Sequence, residues 1–128
     1  MAFTHQITTN WQRGNDQFSK AVSKSADGEI NRSIAVADGQ TALLVSLALD
    51  VSEVKSLVIV ADKAMTLKTN SSSVPDDTIA LVAGEPYVWW DGSPATCLLT
   101  VDVTALYVAN ASGDDGTLEI RALQDSTP

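Results

Sequence analysis

The side chains with the chemistry to act on a substrate are few, and they stand apart. His5 is the single histidine, near the N-terminus, with no Asp or Cys beside it in sequence. A general base needs a partner that orients it on a rigid element. His5 therefore reads as exposed and inert, and His5→Ala is expected to leave the folded protein nearly unchanged. Cys97 is the single cysteine. One thiol closes no intrachain disulfide and builds no cysteine-based zinc site, so it reads as a small buried residue. Serine is plentiful, but no G-x-S-x-G elbow occurs. Asp76-Asp77 and Asp114-Asp115 are adjacent carboxylate pairs. A glycosidase needs two carboxylates facing one cleft, and a calcium loop of the D-x-[DN]-x-[DN]-G kind is missing. Both pairs read as turn formers that bond their own backbone. No glycine pattern of a nucleotide-binding loop is found. Asn70-Ser71-Ser72 and Asn110-Ala111-Ser112 match the glycosylation sequon and read as chance. No cofactor, no metal ion and no enzymatic activity are expected.

Composition narrows the partners. Sixteen acidic against eight basic residues give a net charge of −8, which disfavours nucleic-acid grooves and anionic membrane surfaces, since both recruit Lys and Arg. The N-terminal residues lack a basic stretch followed by an apolar one, so no signal peptide is expected. The longest apolar stretches fall well short of the roughly 18 residues that span a membrane. The expected location is a cytoplasm, or a particle assembled there.

What must position any site is read from period-two alternation. Leu43, Val45, Leu47, Leu49 and Val51 occupy alternate positions and predict a strand over 41–51 with one apolar face. Further strands are predicted over 55–61, 65–69, 78–83, 86–90, 97–103, 105–110 and 117–123. Turns fall at Asn70–Asp77, Asp91–Pro94 and Asn110–Gly116. Toward the N-terminus, 3–12 and 18–25 each suit a strand, Ala26-Asp27-Gly28-Glu29 looks like a hairpin turn, and 30–37 is a strand. About nine short strands spaced near ten residues apart predict an all-β antiparallel β-sandwich. The irregular first 15 residues would form an N-terminal arm, with 16–125 as the single sandwich domain.

Trp89 and Trp90 are adjacent, and neighbours on a strand point to opposite faces. Val88 and Trp90 then share one face, Tyr87 and Trp89 the other. One indole points outward and needs a cover: a loop of the same chain, a partner subunit or a bound sugar. The candidate interface residues are therefore Trp89 and Trp90, with Phe3 and Trp11 on the arm.

Thr66–Ser72 (TLKTNSS), Leu81–Trp90 (LVAGEPYVWW), Asp102–Ser112 (DVTALYVANAS) and Thr117–Leu123 (TLEIRAL) follow one another in an order that resembles virion structural proteins of tailed phages and prophages, of the kind that decorate or cement a capsid. The resemblance spans residues 55–123. It implies a jelly-roll-like sandwich that assembles as a symmetric homo-oligomer, with a trimer suited to three-fold capsid positions. It also implies the major capsid protein or another virion protein as partner, and the virion as location. It carries over no functional residue. The alternative expectation is a carbohydrate-binding or adhesion module, with Tyr87, Trp89 and Trp90 stacking on a sugar ring.

Overall fold

The structure is a computed structural model, and it describes residues 2–125. Within them lie ten strands and one 3₁₀ turn. Two long strands come first, β1 (Phe3–Arg13) and β2 (Asp16–Ala26), paired only with each other. Eight strands follow: β3 (Gly28–Val36), β4 (Leu43–Val45), β5 (Val54–Ala61), β6 (Met65–Thr69), β7 (Thr78–Leu81), β8 (Tyr87–Trp90), β9 (Leu106–Ala109) and β10 (Gly116–Gln124). They form two antiparallel four-stranded sheets, β3-β10-β5-β8 and β4-β9-β6-β7.

The pairing is nested. β3 bonds β10, β4 bonds β9, β5 bonds β8 and β6 bonds β7, as in one long hairpin doubled back on itself. That hairpin is wound so that β10 also meets β5 and β9 also meets β6. Eight strands in two sheets with this winding are a jelly roll. The all-β, antiparallel, sandwich expectation holds, with a strand count close to that read from turn spacing.

Alternation explains which side of each strand faces inward. Leu118, Ile120 and Ala122 of β10 are buried while Thr117, Glu119 and Arg121 between them are not. Leu57, Ile59 and Ala61 of β5 and Leu67 of β6 meet them in the core. The filling is aliphatic and close. A void of about 10 Å³ lies between the sheets, lined by apolar side chains and barely the size a water molecule needs.

Several predicted elements differ. The 41–51 strand shrinks to Leu43–Val45, with a 3₁₀ turn at Val51–Glu53. Val45, Leu47 and Leu49 are still buried on alternate positions. The periodicity is that of burial, because beyond Val45 the chain meets only one bridge partner, Leu49 to Val103. For the same reason 97–103 is no strand: Leu99 and Val103 are buried from a loop. Ala26–Glu29 is no hairpin turn either. β2 and β3 are not bonded to each other, and the chain bends at Asp27 from one sheet into another. Gly28 is required there, since a Cβ would sit 2.9 Å from the Gln124 carbonyl oxygen on β10.

Candidate functional site

The expected arm over 1–15 is half of a larger element. β1 and β2 pair along eleven residues each, from Phe3–Ala26 at the base to Arg13–Asp16 at the tip. The boundary at 15/16 thus falls in the hairpin tip, and Met1 lies outside the described residues. Gly14 opens the two-residue turn with φ of 57°. A left-handed first turn residue matches the right-handed twist of a hairpin, and Gly adopts it without penalty.

One face of this ribbon is docked at its base and free at its tip. Phe3, His5 and Ile7 are half-buried while Thr4, Gln6 and Thr8 are exposed. Their cross-strand partners Ala26, Lys24 and Val22 point the same way. The same face continues to Trp11 and Phe18, directly opposite each other. There the two rings are 52% and 57% exposed. An isolated two-stranded ribbon is marginal in water, so the docked base must hold it.

His5 is the peg. Its Nε2 donates to Glu29 Oε2 at 2.7 Å, and its Nδ1 lies 3.3 Å from Ser56 Oγ. With Nε2 donating, the neutral ring accepts the Ser56 hydroxyl at Nδ1. The expectation of an exposed, unpartnered histidine is corrected: its partners lie 24 and 51 residues away in sequence. The trio of Ser, His and Glu lies under the docked end of the ribbon. Ser56 is only 1% exposed beneath the ribbon, and a nucleophile must reach its substrate.

β8 resolves the tryptophan pair. Trp89 and Tyr87 turn inward against the core, and the Trp89 indole N–H donates to the Ala95 carbonyl at 3.0 Å. Burial pushes the Tyr87 phenol up to about 12, and its oxygen accepts from the Leu98 N–H at 2.9 Å. Val88 and Trp90 face outward, half-buried. Trp90 lines a cleft of about 530 Å³ between the ribbon and the 92–95 loop, with Thr9, Phe18, Lys20 and Val22 as the ribbon wall. Its cover therefore comes from its own chain, and the cover is partial.

Of the four candidate residues, Trp11 and Trp90 belong to this exposed region. Phe3 is spent on docking the base, and Trp89 on the core edge. Phe18, Val22 and Val88 were missed. Gly14-Asn15 was the available signal, since a two-residue Gly-Asn turn sets Trp11 opposite Phe18 by counting outward.

Asp76, Asp77 and Asp115 tie loops together through other residues rather than bonding their own backbone, which corrects the turn-former expectation. Asp77 accepts the Thr100 N–H and hydroxyl, both at 2.8 Å. Asn70 (φ 69°) donates to Asp76 at 2.7 Å and to the Asp102 carbonyl at 2.9 Å, and accepts from Thr104. Asn110 is wholly buried and bonded through both ends of its amide, so its sequon is inaccessible. Glu53 sits among Asp50, Asp125, Asp27 and Asp102. Desolvation first, and those charges second, hold its carboxyl above the usual range. Among the described residues no His, Cys, Asp and Glu group is arranged to hold a metal ion, and no helix is long and apolar enough to cross a membrane.

Comparison with known protein families, with curated proteins and with solved structures finds no match. The chain is thus defined by its own architecture: a jelly roll with an exposed aromatic ribbon.

Proposed function

We propose that the protein is a non-enzymatic structural subunit of a tailed-phage virion, decorating or cementing the capsid as a symmetric oligomer. The exposed ribbon carries this reading. Evolution rarely leaves two large rings opposite each other in water, and such patches mark contact sites. The closely packed apolar interior fits it. So does the use of His5, Ser56 and the paired aspartates in holding the fold. The sequence resemblance over 55–123 supplies the particle. The test is co-sedimentation with undecorated heads of a phage whose virion gene cluster encodes the chain. The expected result is saturable pelleting with the heads. A protein that stays in the supernatant at every head concentration refutes the reading.

One observation favours a second reading, a carbohydrate-binding module. Trp90 is half-exposed in a cleft that also presents Lys20 and Thr9, and an indole face can stack on a sugar ring. Glycan-dependent quenching of tryptophan fluorescence that Trp90→Ala abolishes would put this reading first.

A further inference from the structure

Charge divides the chain unevenly. Residues 1–26 carry three basic groups (Arg13, Lys20, Lys24) against Asp16 alone, a net +2; the remainder carries five against fifteen, a net −10. The ribbon is thus a cationic element on a strongly anionic body. Its free end is also aromatic, through Trp11 and Phe18.

The body presents a surface of the opposite kind. Among the described residues seven large hydrophobics are exposed: Trp11 and Phe18 on the ribbon, Val74, Leu98 and Val101 on two loops, and Leu44 and Val82 elsewhere. The loops 70–77 and 98–104 are tied together by the Asp77–Thr100 and Asn70–Asp102 hydrogen bonds. Val74, Leu98 and Val101 are thus exposed on two joined loops that also carry Asp76, Asp77 and Asp102. The outer ribbon is aromatic with a net +1, from Arg13 and Lys20 against Asp16, and the loop surface is aliphatic and acidic, with three aspartates against Lys68. Like charge would oppose contact between two copies of either patch, whereas the unlike patches attract and bury apolar area together.

We infer that the tip of the β1–β2 ribbon of one copy docks on the Val74–Leu98–Val101 loop patch of a second copy. The partner is this same chain. Donor and acceptor surfaces differ, so the contact is head-to-tail, and a rotation that closes it gives a ring. This deepens the structural-subunit reading and rests on it, by naming the contact through which the subunits assemble.

Complementation tests it. A donor-defective chain carries Trp11→Ser and Phe18→Ser, and an acceptor-defective chain carries Leu98→Ser and Val101→Ser. All four side chains are exposed, and circular dichroism checks that each variant keeps its β signal. By light scattering at about 20 µM, a concentration set by the micromolar affinities of modest interfaces, the wild type should have a multiple of the 13.5 kDa chain mass. Each variant should be a monomer. Mixed in equal amounts, they should give a two-chain species, since one sound donor and one sound acceptor remain. A monomeric wild type overturns the inference, as does either variant keeping wild-type mass. Two monomers that do not pair when mixed overturn it too. If the donor variant does not fold, Arg13→Glu replaces it, with the same outcomes read. A chain that stays monomeric yet pellets with phage heads removes the second copy as occupant and leaves the structural role standing. An assembled ring that ignores heads does the reverse.

Discussion

Asn110→Ala should cost about 3 kcal/mol of folding stability, a large share of the 5–15 kcal/mol typical of a domain. The side chain lies wholly buried just after β9. Its Nδ2 donates to the Val36 carbonyl at 3.0 Å and to the Asp114 carbonyl at 2.9 Å. Its Oδ1 accepts the Ser112 N–H at 3.1 Å and the Ser112 hydroxyl at 2.7 Å. Truncation breaks all four bonds, but the costs are unequal. Ser112 and Asp114 are exposed and can turn to water. Val36 is 0% exposed, so its carbonyl loses its side-chain donor with no water to replace it, at about 1–3 kcal/mol. The vacated amide leaves a cavity of roughly 50 Å³, worth about 1 kcal/mol. Urea unfolding reads the sum. With a slope near 2 kcal/mol per molar, the midpoint should fall by about 1.5 M at unchanged slope. Asn110→Asp should be worse than Ala, because it keeps the Ser112 bonds but aims a charged oxygen at two carbonyls. The measurement belongs in the Trp11→Ser, Phe18→Ser background, where assembly does not add to apparent stability. A loss under about 1 kcal/mol, or an Asp variant more stable than Ala, would refute the reasoning.

His5→Ala should loosen the ribbon without unfolding the sandwich: amides of β1 and β2 exchange faster in hydrogen exchange, by a local free energy of about 1 kcal/mol, while β5 and β10 keep their protection. Equal protection throughout the ribbon would mean that His5 holds nothing. Tyr87, with its phenol pushed up to about 12 by burial, should ionise late in an ultraviolet titration, and Tyr87→Phe should remove that late step. The unfolded chain releases this proton near pH 10, so wild-type stability should decline between pH 10 and 12 more than that of Tyr87→Phe. Gly28→Ala should destabilise by about 1–3 kcal/mol, as its Cβ meets backbone on β10, whereas Gly14→Ala, open to solvent but at positive φ, pays only a conformational penalty of about 1 kcal/mol. Thermal melts that rank these two glycines the other way would contradict the close approach.

The all-β class, most of the strands and the inward sets of β6 and β10 were legible because a strand exposes its burial pattern locally, at every second residue, whereas the unbroken apolar run of β5 left its inward side to the tertiary structure. The same locality explains the error over 41–51, where Leu47 and Leu49 keep the alternation while lacking a ladder partner. Opposite orientations of Trp89 and Trp90 were also determined by the sequence, through period two alone. Which of the two faced inward was decided by β8 lying antiparallel to β5, which sets Trp89 beside Leu57 and Trp90 beside Ser56. Tertiary structure alone decided the role of His5, whose partners are brought to it by the ribbon folding over the β10–β5 surface. It alone joined the loops that carry Val74, Leu98 and Val101 and left Trp11 and Phe18 exposed. Local patterns record which side of a strand is dry; the nested winding, made of contacts between distant residues, chooses what that side meets.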